Sequence, residues 1–130
     1  MNAPGKKILV VEDDPSFQRY LDFLFTKEGY QVVLATNGLE GLRKARQEKP
    51  DLVVLDVMLP GLDGFEVCHR LRGDPNTVKL PVLMLSAKGQ DSDRVTAARV
   101  GANVFMAKPP EREALLAAVS ELLRQGQAAA

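Results

Sequence analysis

The chain has no surplus of charge of either sign: 17 lysines and arginines stand against 17 aspartates and glutamates. A balanced chain offers no net field to draw in nucleic acid or an anionic bilayer, so neither a direct nucleic-acid surface nor a polybasic membrane anchor is expected. Cysteine occurs once, as Cys68, which excludes an internal disulfide and leaves the thiol the plain role of a small buried hydrophobe. No apolar run approaches the roughly 18 residues that a membrane span needs. The first residues, Met1 to Lys7, lead directly into a short strand core and do not resemble a signal peptide. A cytoplasmic location is therefore the expectation.

What is present is a series of short apolar strands. A chain of 130 residues points to one domain that buries about 65–70% of the surface its unfolded form exposes. Leu52-Val53-Val54-Leu55 places four branched apolar residues in a row and ends on Asp56, the pattern of a strand buried on both faces. Pro60, Gly61 and Gly64 follow closely, so the chain must turn soon after Asp56. Ile8-Leu9-Val10-Val11 is a second such strand and ends in Glu12-Asp13-Asp14-Pro15. Asp14 as cap and Pro15 at the first helical position open a helix there. Phe17, Tyr20, Leu21, Leu24 and Phe25 form its apolar stripe, and Gly29 stops it.

Residues 30–35 read as a strand, and Asn37-Gly38 introduces a helix with Leu39, Leu42 and Ala45 that runs to Lys49-Pro50. Asp63 to Glu66 has the form of a capping box for a third helix, with Phe65, Cys68 and Leu71 inward. A strand is expected over 80–85, a loop at Ser86-Ala87-Lys88-Gly89, and a helix over 91–100. The stripe of that helix is thin, chiefly Val95, Ala98 and Val100, which makes it the least firmly held. A strand at 103–107, a turn at Lys108-Pro109-Pro110 and a helix carrying Leu115, Leu116, Val119, Leu122 and Leu123 complete the series. Five alternations with continuously apolar strands imply an α/β fold, a parallel sheet covered on both faces. The expected bounds are a flexible start at 1–5, the domain at 6–124, and a frayed tail or linker start at 125–130.

In a parallel sheet the residues just past each strand share one crevice. Here they are Glu12 and Asp13, Asp56, Ser86 and Lys108. Three carboxylates brought together are driven toward protonation unless a cation compensates. With only oxygen donors and no nearby histidine or cysteine, Mg2+ or Mn2+ is the natural ion. Lys108 offers a mobile charge and Ser86 a hydroxyl, both suited to phosphoryl oxygens. Asp56, central and beside the metal, is the nucleophile this arrangement implies.

These motifs, Val10-Val11-Glu12-Asp13-Asp14, Leu55-Asp56 through Pro60-Gly61-Leu62-Asp63-Gly64, Met84-Leu85-Ser86-Ala87-Lys88 and Lys108-Pro109, in this order and at these intervals, resemble a CheY-like response-regulator receiver domain of two-component signalling over residues 6–124. The resemblance implies a doubly wound (βα)5, flavodoxin-like three-layer sandwich with strand order 2-1-3-4-5. It implies that Asp56 accepts a phosphoryl group from a histidine kinase, a phosphotransfer protein or a small phosphodonor. It further implies that Asp13, Asp56 and the backbone carbonyl of Met58 bind Mg2+ (or Mn2+), with Glu12 acting through water. Ser86 and Lys108 are implied to contact the phosphoryl oxygens, Ser86 and Phe105 to form the switch, and the Lys108–Pro109 bond to be cis. Such a protein catalyses only its own phosphorylation and slow dephosphorylation, and signals to a downstream protein as a monomer or a phosphorylation-dependent dimer. Pro110 departs from the family pattern. So do Asn103-Val104, where many members carry the acidic pair of a dimer contact. Met58 and Lys88, two positions past Asp56 and Ser86, are not groups that orient an attacking water.

Plainer roles compete. Asp14 and Asp63 are helix caps on this reading, His69 is a solvated surface residue, and Phe105 is equally a core aromatic. A metal-dependent phosphohydrolase with an aspartyl nucleophile usually carries a second Asp two residues on, where this chain has Met58. A flavin-binding protein of similar fold needs a phosphate loop after the first strand, where Glu12-Asp13-Asp14 repels phosphate. The remaining alternative is a receiver-like module that signals without phosphorylation, against which the full set of site residues argues. Both a stand-alone receiver and the N-terminal fragment of a longer regulator fit the sequence.

Overall fold

The computed structural model describes residues 5–87 and 91–129. The strands are β1 (Lys7–Val11), β2 (Gln31–Ala35), β3 (Leu52–Asp56), β4 (Val82–Ser86) and β5 (Val104–Ala107). They alternate with helices α1 (Pro15–Lys27), α2 (Gly38–Glu48), α3 (Gly64–Arg72), α4 (Asp91–Val100) and α5 (Arg112–Ala129). Every strand pair is parallel, and the order is β2-β1-β3-β4-β5. This is the doubly wound, flavodoxin-like three-layer arrangement expected.

The three layers follow from the two-residue period of the strands. Ile8, Val10, Leu52, Val54, Leu83 and Leu85 face one way and pack with residues of α1 and α5, among them Phe25 and Val119. Leu9, Val11, Val53, Leu55, Val82 and Met84 face the other way, against Ala45 of α2, Cys68 of α3 and Ala97 of α4. Burial on both faces explains why these strands read as unbroken apolar runs.

Capping sets where the helices begin. Asp14 accepts from the Phe17 N–H at 3.1 Å, Asn37 from Glu40 at 2.8 Å and Asp63 from Glu66 at 2.9 Å. The capping box expected at α3 forms only by half, because the Glu66 carboxylate pairs with Arg70 at 3.1 Å. Three helix stripes also differ from expectation. Tyr20 of α1 is 40% exposed, Leu39 of α2 66% and Val95 of α4 57%. In α2 the buried side is Gly38, Gly41 and Ala45, which brings the helix close to the sheet and turns Leu39 outward. In α4 Ala97, and neither Val95 nor Ala98, is the buried residue. Helix α5 continues through Ala129, beyond the boundary at 124. Gln125 and the terminal alanines favour helix, and only Gly126 opposes it. The expected flexibility of 1–4 and the Lys88-Gly89 part of the loop fall outside the described residues.

Arg72, the last residue of α3, fastens the sheet's far end. Its guanidinium donates to the carbonyls of Val78, Leu80 and Gly101 and to Asn103 Oδ1. The same Asn103 oxygen accepts from the Val82 N–H at 2.8 Å, so Asn103 is engaged within the fold at the start of β5. Among the described residues no helix is long and apolar enough to cross a membrane.

Helix α3 begins hard against the end of β3. A Cβ at Gly64 would lie 2.3 Å from the Asp56 carbonyl oxygen and 2.9 Å from Val57 Cα. These are backbone atoms that cannot swing aside, so Gly64→Ala is expected to cost at least about 2 kcal/mol by overpacking. Gly126, with nothing within 4 Å of an added Cβ, provides the contrast: Gly126→Ala is expected to stabilise by about 0.5–1 kcal/mol through helix propensity. Urea unfolding of both variants measures the two signs.

Candidate functional site

Because the strands are parallel, their carboxyl ends open on one edge, and the register decides which side chains meet there. Asp56 ends β3 opposite Leu85. Ser86 ends β4 opposite Ala107, and Lys108 follows one residue later, its N–H donating to the Ser86 carbonyl at 2.8 Å. Glu12 follows β1, with its N–H bonded to the Ala35 carbonyl at 3.0 Å. Gln18 of α1 reinforces that corner by donating to the carbonyls of both Glu12 and Ala35.

Glu12, Asp13 and Asp56 each present a carboxylate oxygen within 4.8 Å of the other two. Glu12 and Asp56 are buried, 1% and 3% exposed, while Asp13 is exposed. Lys108 Nζ lies 2.9 Å from Glu12 Oε1 and 3.4 Å from Asp56 Oδ2, and 4.6 Å from the centroid of the Phe17 ring. The second oxygen of Glu12 accepts from the Asp14 N–H at 2.9 Å. That of Asp56 accepts from the Met58 N–H at 3.4 Å.

Burial raises both buried carboxyls above their ordinary values. At Glu12 the Asp14 N–H and Lys108 oppose the rise and Asp56 adds to it. At Asp56, Lys108 and the Met58 N–H oppose it and Asp13 adds to it. Burial alone would lower Lys108, but its hydrogen bond to Glu12 and the charges of Asp56 and Glu12 outweigh burial and raise it. One ammonium, in contact with two of the three carboxylates, leaves the site formally negative. Its oxygen-only donors, with Asp13 open to solvent, fit a hard divalent cation.

The remaining expected residues sit at the same edge with different partners. Ser86 is buried, and its hydroxyl donates to Asp93 Oδ2 of α4 at 3.2 Å. Phe105 lies beside Met84 in the sheet and is half-buried against the α2–α4 core. The Arg94 guanidinium sits 4.9 Å above its ring. The Met58 side chain is 54% exposed. The Lys108–Pro109 bond is cis, and Lys88 lies outside the described residues. Asp93, Arg94, Phe17 and Gln18 escaped the sequence reading as site residues. Phe17 was placed in the core stripe of α1, and only the fold brings it under Lys108. The one signal for Asp93 was its place in the acidic first turn of α4.

The chain is similar to proteins of known family. A family model described as the response regulator receiver domain matches residues 8–120. The alkaline phosphatase synthesis transcriptional regulatory protein PhoP of Bacillus subtilis is 46% identical over 126 residues, covering 97% of this chain and 52% of PhoP. This chain thus spans about half the length of that regulator. Protein PilH of Pseudomonas aeruginosa is 39% identical over 117 residues, covering 90% of this chain and 97% of PilH. The receiver domain of a sensor histidine kinase from Pseudomonas aeruginosa, solved with magnesium coordinated in its active-site cleft, superposes with a TM-score of 0.85. It is 30% identical, covering 92% of this chain and 98% of that one.

The raised carboxyls make a stability prediction for the metal-free protein. A carboxyl whose folded pKa is raised favours the native state most when protonated. Its contribution is fully present below the ordinary values of 3.8 for Asp56 and 4.5 for Glu12 and is lost as pH rises through the folded value. At pH 7, well above the ordinary carboxyl range, Asp56 therefore costs stability. Asp56→Asn is expected to gain about 1 kcal/mol, or roughly 3–6 °C in Tm at this chain length. The gap should narrow toward pH 4 as the wild-type carboxyl takes up its proton. Thermal melts of both proteins in chelator across this pH range measure it.

Proposed function

This chain belongs to the response regulator receiver domain family, and on that premise we propose that it accepts a phosphoryl group on Asp56 from a histidine kinase or phosphotransfer protein. The two-component phosphoacceptor role is that of the family; the assignment to particular residues is our reading. The observation that carries it is the Lys108 ammonium bridging Asp56 and Glu12 in a cluster of three carboxylates.

In the transfer, an Asp56 carboxylate oxygen attacks phosphorus and forms the new P–O bond. The P–N bond of a phosphohistidine breaks, its electron pair stays on the imidazole nitrogen, and that nitrogen takes a proton from solvent. With a small acyl phosphate, the bond to the acyl oxygen breaks and a carboxylate leaves. Lys108, already 3.4 Å from Asp56, shifts its contact to a phosphoryl oxygen and offsets charge that the buried site could not otherwise hold. The Ser86 hydroxyl donates to a second phosphoryl oxygen. Asp13, Asp56 and the Met58 carbonyl, with Glu12 through water, would hold Mg2+, or Mn2+ in its place, which would supply positive charge against the phosphoryl oxygens.

Residues 6–124 are the unit we assign to this chemistry, in a cytoplasmic setting. The output is a protein surface that includes α4 and Phe105. Direct binding of nucleic acid or membrane forms no part of the reading. Self-catalysed chemistry is limited to gaining and slowly losing the phosphoryl group. Met58 carries no general base, and a positioned base is worth about 10²–10⁴-fold in such a step.

Incubation with Mg2+ and acetyl phosphate, followed by intact mass, tests the assignment. The wild type is expected to gain one phosphoryl group, and Asp56→Asn or added chelator to abolish the gain. Lys108→Ala is expected to slow it by at least about 100-fold. After removal of the donor the phospho-form should persist for minutes, and its loss within seconds would contradict the slow-hydrolysis reading.

A further inference from the structure

Both switch residues are held by neighbouring side chains in the first turn of α4. Asp93 accepts the Ser86 hydroxyl at 3.2 Å. Arg94 lies 4.9 Å above the Phe105 ring and donates to the Phe105 carbonyl at 3.4 Å. Helix α4 buries Ala97 fully; its further anchors in the core are Val100, partly buried, and the Val100 carbonyl, which accepts from the Cys68 thiol at 3.4 Å. We propose that Asp93 and Arg94 form a latch that keeps α4, Ser86 and Phe105 in the unphosphorylated arrangement, and that phosphorylation opens it by taking the Ser86 proton donor away from Asp93. This rests on the phosphoacceptor reading above.

The physical ground is exclusivity. A serine hydroxyl carries one hydrogen, and both a carboxylate and a phosphoryl oxygen can only accept it. Donation to a phosphoryl group on Asp56 therefore ends donation to Asp93. The abandoned Asp93 carboxylate then faces a site that the phosphoryl group has made more anionic, and like charges push the first turn of α4 away. Arg94 is adjacent in sequence, so a displacement of this turn also withdraws the cation from the Phe105 ring. One exchanged hydrogen bond thereby moves both the helix and the aromatic residue. Asp93 and Arg94 act as positioning residues through Ser86 and Phe105 and take no part in the transfer itself.

A latch subtracts from the apparent affinity of anything that requires it open, by the fraction of molecules already unlatched. The test is equilibrium binding of beryllofluoride, a phosphoryl analogue, in the presence of Mg2+, followed by fluorine NMR. Asp93→Ala is expected to bind about fivefold more tightly than wild type, equivalent to roughly 1 kcal/mol at 1.4 kcal/mol per tenfold. The gain should vanish in the Ser86→Ala background, because without the hydroxyl there is nothing for Asp93 to hold. Asp93→Asn, which keeps an acceptor oxygen and is the safer variant for folding, should fall between wild type and Asp93→Ala. Arg94→Leu, which keeps bulk over Phe105 but removes the donor, should also tighten binding. Equal or weaker binding by Asp93→Ala and Asp93→Asn, with a wild type that binds, overturns the latch alone, as does a gain that survives in Ser86→Ala. A wild type that does not bind overturns the phosphoacceptor reading and the latch with it.

Discussion

Three carboxylates converge on one end of a sheet, two of them withdrawn from water, and Lys108 is the interaction that lets them coexist. Each buried carboxylate would otherwise face a large desolvation cost together with repulsion from its neighbours. The ammonium reaches both Glu12 and Asp56, and Phe17 underlies it. Compensation remains partial, as the raised Glu12 and Asp56 values record. That remainder of negative charge favours a cation at the site, where the hydrogen bonds to Asp56 from Met58 and Lys108 are both 3.4 Å long.

The sheet makes this concentration possible. Glu12, Asp56, Ser86 and Lys108 are far apart in sequence, yet each follows or ends a parallel strand, so the common strand direction delivers all four to one edge. Hydrogen bonds fix the spacing: the Lys108 N–H to Ser86, the Glu12 N–H to Ala35, and the Gln18 amide across the first two strands. At the opposite end, Arg72 and Asn103 tie α3 to the starts of β4 and β5. The edge that must react is thus carried on a frame secured at both ends.

Helix α4 is the exception to that rigidity. Its neighbours in the layer bury several residues each, whereas α4 buries Ala97 and adds polar contacts in its first turn. Exchangeable polar contacts are suited to a helix that changes place, since releasing them costs little compared with extracting an apolar stripe from a core.

Much of this was legible from residues alone. The apolar runs at 8–11 and 52–55, the proline after Asp14 and the turn-forming glycines defined strands and helix starts because these signals are local and depend only on chain periodicity and backbone geometry. Strands of this kind must lie inside a parallel sheet, and that placed Glu12, Asp13, Asp56, Ser86 and Lys108 at one edge. Helix phase was less legible. In α2, glycines approach the sheet while Leu39 faces solvent, and in α4 Ala97 is buried while Val95 is not. Small residues carry almost no hydrophobic signal, so only the fit of helix against sheet decides which side turns inward. The same holds for Phe17 beneath Lys108, Asp93 on Ser86 and Arg94 over Phe105. Sequence determined the elements and the chemical types gathered at the reactive edge. The tertiary structure alone decided which side chain meets which, because a contact between distant residues depends on register and helix rotation set by packing the whole domain.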